Sequence, residues 1–184
     1  MWDLSPALWP ALETLFGPRG ACGGCWCMYW RLEKSERWED LKGEPAKRRM
    51  RQLVAAGKAQ GVIAFAGKEP VGWIAYGRRH DFPRLGRART LACQDTGDVW
   101  ALPCFYVKAG WRDQGVATAL LRHALGSLRR QGAKVAEGYP VNLKPGQRLP
   151  NAFAWTGTRS LFSDAGFELA GPGNTSKLRM RRKP

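Results

Sequence analysis

A chain of 184 residues with 44% hydrophobic side chains and nine tryptophans holds enough apolar surface for one core, which excludes an intrinsically disordered chain. Its 30 Lys and Arg stand against 15 Asp and Glu, a formal charge of +15, and such a field attracts polyanions without naming one. No run approaches the roughly 18 unbroken apolar residues of a membrane span, no basic region marks the N-terminus as a secretory signal, and an odd count of five cysteines points to reduced thiols in a cytoplasmic protein.

In chain order, Leu4, Leu8, Leu12, Leu15 and Phe16 recur at near-helical spacing and predict a helix over residues 2–16. "GPRGACGG" breaks that pattern with glycine and proline, and "CWCMYW", rich in aromatic residues, reads as a short strand. Residues 33–56 are charged and largely helical, interrupted at "KGEP", where Pro45 opens a second helix that Gly57 ends. "GVIAFAG" and "VGWIAYG" flank the polar "KEP" as a hairpin. The stretch 78–98 follows as a loop or weak strand. "VWALPCFYV", residues 99–107, is the next strand; Pro103 cannot donate to a ladder and is accommodated at a bulge or where pairing ends. Residues 115–130 form a helix with Val116, Leu120, Leu121, Ala124, Leu125 and Leu128 on one face. "AKVAEGYPV" is a further strand, "GTRSLFSDAG" a short helix closed by Gly166, and "FELAG" and "KLRMR" the last strands. The order predicts one α+β (mixed α/β) domain over 1–184, with an N-terminal helix and first strand in 1–32 and one parallel crossover.

The segment "RDQGVA", residues 112–117, is a turn almost stripped of bulk between a strand and a helix. A helix N-terminus offers unpaired backbone N–H groups and the positive end of its dipole, so removing side chains there lets an anion reach the donors. Gly115 and Ala117 suit such a cradle and Arg112 suits a cationic clamp; a plain tight turn using the backbone freedom of Gly115 has the same spacing. Neither a G-x-x-x-x-G-K-[ST] loop nor a G-x-G-x-x-G turn after a strand occurs.

Strand, turn and helix together, "FYVKAGWRDQGVATALL", resemble the signature of the GNAT superfamily of N-acetyltransferases: a strand ending in Val, then [RQ]-x-x-G-x-[GA], then a helix. Arg112, Gly115 and Ala117 take the defining positions. "EPVGWIAYG" resembles the central hairpin strand of that family and "LFSDAGFEL" its closing helix and strand, so the likeness spans about residues 60–181. The resemblance implies a central mixed, mostly antiparallel sheet flanked by helices. A splayed parallel pair, here 99–107 and 134–141, then forms the slot where thioester meets acceptor. It implies acetyl-CoA as co-substrate. The backbone of Phe105, Tyr106 and Val107 would pair with the pantetheine arm, and Arg112, Asp113, Gln114, Gly115, Val116, Ala117 and Thr118 would hold the pyrophosphate. The implied activity is acetyl transfer to an amine of a small molecule or a protein.

Acetyl transfer needs a deprotonated amine and gains from an acid at the departing thiolate. The family commonly has a tyrosine acid four residues before a Gly-Phe pair; Phe162 stands there, and Trp155 stands where an asparagine is common. Substitutes come from the strand "AKVAEGYPV", whose alternation puts Val135, Glu137 and Tyr139 on one face. Glu137 is the candidate base and Tyr139 the candidate acid or substrate contact; pairing of Glu137 with an arginine and packing of Tyr139 are the structural alternatives. Cys104 reads as a buried structural thiol.

"CGGCWC" sets Cys22, Cys25 and Cys27 close together, but no further Cys or His pair has the spacing of a zinc site, so they read as free thiols and no metal is expected. "RRHDFPRLGRAR" and "KLRMRRKP" are strongly basic, as in a nucleic-acid patch or a solvated edge. Two other functions therefore stand beside the transferase: a basic nucleic-acid- or ribosome-associated module, and a non-catalytic acyl-CoA-binding protein. The acceptor and the oligomeric state, a homodimer included, are open at this point.

Overall fold

The structure, a computed structural model, describes residues 1–143 and 151–184. β-Branched and aromatic residues on either side of a two-residue turn at Gly67–Lys68 make the hairpin of β2 (Gln60–Ala66) and β3 (Glu69–Arg78), paired antiparallel from Gln60↔Tyr76 to Ala66↔Glu69. On its outer edge lies β1 (Trp2–Asp3), pairing Trp2 with Ile63 and Asp3 with Val62. The helix expected over 2–16 therefore begins late. Ser5, before Pro6, is held extended, and the helical path opens through Pro6–Leu8 into α1 (Trp9–Phe16). Next come α2 (Trp38–Leu41) and α3 (Glu44–Ala55), the latter with Pro45 in its first turn.

"CWCMYW" is not a strand. Glycines 20, 23 and 24, Ala21 among them and Trp26 and Cys27 after them all take positive φ values, so the segment coils and then makes a 3-10 turn at Tyr29–Arg31. Within 78–98 the chain makes a 3-10 turn at Arg79–Asp81 and a short α4 (Pro83–Arg87) opened by Pro83. β4 (Val99–Val107) pairs antiparallel with β3, α5 (Val116–Arg130) crosses over, and β5 (Val135–Gly138) lies parallel to β4. α6 (Arg159–Asp164), β6 (Glu168–Leu169) and β7 (Met180–Arg182) complete the chain. The strand order is β1-β2-β3-β4-β5-β7-β6, with β4–β5 the parallel pair.

The two sheet faces hold different cores. Leu120, Leu121, Ala124, Leu125 and Leu128 of α5 pack on Ile74, Trp100, Leu102 and Phe105. On the other face α1 and α3 cover Ile63, Trp73, Ala75 and Cys104, and Trp30, Phe82, Leu85 and Leu91 cover Ala101 and Tyr139. Among the described residues no helix is long and apolar enough to cross a membrane.

Candidate functional site

The register of β4 against β5 runs from Val99↔Val135 to Leu102↔Gly138, and there the two strands part. Phe162 is the wedge. Its ring occupies the space a Cβ on Gly138 would need, and it packs edge-on against Phe105 at 5.9 Å and Phe167 at 5.0 Å. Pro103 sits at the same place, in a bulge between the pairs Gly77↔Ala101 and Ala75↔Cys104. Its carbonyl accepts from Trp30 Nε1 at 3.1 Å. From Cys104 to Val107, β4 keeps β3 on one edge while the other edge, abandoned by β5, lines a cleft.

The stripped turn opens into this cleft. Asp113 (φ 59°) and Gly115 (φ 75°) are both left-handed, and a Cβ on Gly115 would meet no atom within 4 Å. Arg112 Nε donates to the Val107 carbonyl at 3.1 Å, tying the turn to the end of β4. The first backbone bond of α5 is Ala119 N–H to Gly115 C=O at 3.0 Å, so the N–H groups of Val116, Ala117 and Thr118 precede the ladder. Of the residues singled out in sequence, Phe105, Tyr106, Val107, Arg112, Asp113, Gly115, Val116, Ala117 and Thr118 line the cleft. Gln114 turns back instead, its amide donating to the Gly110 carbonyl at 2.9 Å.

The cleft has a volume of about 680 Å³. Gly157, Thr158, Ser160 and Leu161 form a second wall, with Thr158 capping α6 through its hydroxyl and Leu161 N–H at 3.2 Å. A third wall is formed by Cys22, Cys25, Cys27 and Tyr29 of the coiled N-terminal segment and by Trp38 of α2, with Trp155 beside them. Tyr29 sits edge-on to both Trp38 (5.4 Å) and Trp155 (5.3 Å). Behind this wall Lys177 donates to Thr156 Oγ1 at 3.0 Å and lies 5.0 Å over the Trp155 ring. Burial pushes its ammonium down to about 8. Residues 29, 38 and 155 are distant in the chain and are brought together by the fold.

Glu137 and Tyr139 are adjacent to one another but are not among the residues lining the cleft. Both are fully buried. Glu137 Oε1 accepts from Arg79 Nε at 2.9 Å and from the Tyr139 hydroxyl at 2.6 Å, and Oε2 accepts from Arg181 Nε at 2.5 Å and Arg179 Nη1 at 3.4 Å. Burial and then the Glu137 charge hold the Tyr139 phenol well above its ordinary range, so it is a neutral donor to the carboxylate. Phe162, fully buried, brings no hydroxyl to the position where an acid was sought.

This network also accounts for much of the basic sequence. In 78–89, Arg79 serves Glu137, Arg78 stacks on Trp100 at 4.4 Å, Arg84 on Tyr29 at 4.0 Å, and Arg87 donates to the Leu32 carbonyl. At the C-terminus Arg179 and Arg181 reach Glu137, Arg181 also reaches Asp95 at 2.7 Å, and Arg182 donates to the Ala165 carbonyl. These guanidiniums are committed to internal contacts rather than presented as a free phosphate-binding stripe.

Residues 26–142 match the acetyltransferase (GNAT) family. Comparison with curated proteins finds no match. Among solved structures, the chain is similar to the GNAT domain of S. lividans PAT, at 17% identity and a TM-score of 0.58 over 100% of this chain and 89% of that one. It is similar to an aminoglycoside 6'-N-acetyltransferase complexed with coenzyme A, at 14% identity and TM-score 0.56 over 100% and 97%. A third is the ribosomal-protein-alanine N-acetyltransferase of Brucella melitensis, at 16% identity and TM-score 0.55 over 100% of both chains. At these identities the likeness is one of fold.

Proposed function

The chain belongs to the GNAT family of acetyltransferases, and from that premise we propose that it transfers the acetyl group of acetyl-CoA to a primary amine carried on an apolar or aromatic body. The observation that carries the reading is that one cleft joins the N-terminus of α5, the strand edge that β5 leaves after Leu102 and, among the described residues, an aromatic wall. Its chemistry fits coenzyme A. The N–H groups of Val116, Ala117 and Thr118, with the α5 dipole, suit the pyrophosphate, and the open Gly115 leaves room for it. The free edge of Phe105, Tyr106 and Val107 suits the amides of the pantetheine arm, which is itself built of peptide-like groups. Bound acetyl-CoA supplies an activated thioester; the protein's part is to hold it beside the point where β4 and β5 separate.

Tyr29, Trp38 and Trp155 then receive the acceptor. Among the described residues the acids lining the cleft are Asp113, on the turn, and Asp164, at the end of α6, and none stands among these aromatic residues. Arg84 and Lys177 flank the aromatic wall from behind. A polycation would meet a chain of charge +15 without a compensating acid, whereas a flat monoamine gains apolar contact. Glu137, committed to arginines, and Tyr139, committed to Glu137, are assigned to the scaffold rather than to proton transfer. Departure of a thiolate makes no strong demand for an acid, and the open cleft lets water take the amine proton.

An acceptor screen with acetyl-CoA, following free thiol release, tests this reading. Aromatic or aliphatic monoamines are expected to turn over faster than polyamines or aminoglycosides. Coenzyme A binding with no acceptor-dependent thiol release would favour a non-catalytic acyl-CoA-binding protein instead.

A further inference from the structure

We propose that Cys27 and Cys104 are a redox modification site: an oxidant of the hydroperoxide class converts the two thiols to a disulfide that staples the N-terminal wall of the cleft to β4.

The two residues are 77 positions apart, and the fold brings Sγ to Sγ at 3.3 Å in a shared hydrogen bond. A disulfide requires about 2.05 Å between sulfurs, so bond formation asks for a small side-chain adjustment rather than a rearrangement of elements. Both thiols line the cleft, which gives a small oxidant a path to otherwise buried groups. The geometry at Cys27 is maintained against its local preference: Trp26 (φ 45°) and Cys27 (φ 58°) are consecutive non-glycine residues in the left-handed region. Such φ values are uncommon for residues that carry a side chain, and strain of this kind gathers where a side chain has to be aimed.

The two sulfurs are not equivalent. Cys27 Sγ accepts from the indole N–H of Trp73 at 3.0 Å, a donor aimed at that sulfur alone of the pair. Cys104 is pushed well above its ordinary range, first by the hydrogen bond to Cys27 and then by burial. Cys27 is therefore the attacking sulfur and Cys104 the resolving one. Cys27 sulfur takes the outer oxygen of the hydroperoxide to become a sulfenic acid, and the thiol proton leaves on the departing oxygen as water or an alcohol. Cys104 sulfur then attacks Cys27 sulfur, expelling hydroxide, which leaves as water with the Cys104 proton. The sulfur pair loses two electrons and the peroxide gains two.

Cys25 is the nearby competitor, and its surroundings hold it back. Burial first, then the neighbouring Cys27, raises its thiol to about 12 despite backbone N–H groups of Tyr29, Cys27 and Met28 directed at it. Among the described residues no group of three Cys, His, Asp or Glu side chains is arranged to hold a metal. A covalent pair is thus the chemistry these thiols are placed for. On the function proposed above, the staple lies next to Phe105, so oxidation would also alter the acyl end of the cleft.

The test reads the bond itself, independently of any acetyltransferase activity. The reduced full-length protein is titrated with hydrogen peroxide, residual thiols are alkylated under denaturing conditions, and peptides are mapped by mass spectrometry. The expected result is a loss of two hydrogens, a Cys27–Cys104 cross-linked peptide, alkylation of Cys22, Cys25 and Cys93, and full reversal by dithiothreitol. Cys25→Ser should form the same cross-link, and Cys104→Ser should leave Cys27 as a sulfenic acid that a dimedone-type probe captures. A dominant link through Cys22 or Cys25, or oxidation of exposed Cys22 to higher acids while Cys27 and Cys104 stay reduced, would overturn the proposal.

Discussion

Replacing Glu137 by Gln separates a scaffold role from a catalytic one. The substitution keeps volume but leaves Arg79, Arg179 and Arg181 around an amide that carries no charge, and the Tyr139 hydroxyl loses its charged acceptor. Glu137 is fully buried and Arg79 is 4% exposed, so water cannot take over the missing charge. Removing one partner of a buried ion pair costs about 3–5 kcal/mol. For a chain of this length that corresponds to a fall in melting temperature of roughly 6–20 °C. Urea denaturation gives the free energy, and acetyl transfer assayed well below the melting point gives turnover per folded molecule. The expected outcome is a large stability loss with turnover changed less than about threefold. An unchanged melting temperature with turnover lowered by about 10²–10⁴-fold, the range for loss of a general base, would refute the argument.

Phe162→Tyr should lower stability by about 1–3 kcal/mol without raising turnover, because its new hydroxyl is driven at Gly138 in a fully buried site; denaturation and steady-state rates check it. Lys177 has its pKa lowered to about 8 by burial from an ordinary 10.5. Between those values the unfolded chain holds a proton that the folded chain has released, so stability rises with pH across that window. Lys177→Met should abolish that rise, on the order of 2 kcal/mol, and increase stability at pH 7, as read from denaturation at pH 7, 9 and 10.5. Trp155→Ala should raise the acceptor KM at least tenfold while the affinity for coenzyme A changes little, measured by initial rates and calorimetry.

What the sequence disclosed and what it hid follow from the range of the interactions involved. Hairpin, crossover helix and the "RDQGVA" turn were readable because period-2 alternation, period-3.6 alternation and a bare turn are local features. The splay between β4 and β5 followed from resemblance, and Pro103 marked its position. The segment 25–30 was misread as a strand, since aromatic residues favour strands in general while here Trp26 and Cys27, at left-handed φ, turn the chain and pack into the core beneath α1 and α3. Glu137 stood out as an acid in an apolar strand, but its three arginines come from segments 42 to 58 residues away, which alternation within one strand cannot reveal. The aromatic wall and the Cys27–Cys104 contact are likewise products of tertiary closure.

The central claim is that the α5 N-terminus and the free edge of β4 hold coenzyme A, and calorimetric titration of coenzyme A into three proteins tests it most directly. The wild type should bind one equivalent. Gly115→Ala, which carries the strain of a side chain at φ 75° but puts its Cβ into open space, should retain binding within about tenfold. Gly115→Glu, with the same backbone strain plus a carboxylate among the phosphates, should lose binding by at least 100-fold at an unchanged fold. Wild-type affinity in Gly115→Glu, or no binding by the wild type, would contradict the account.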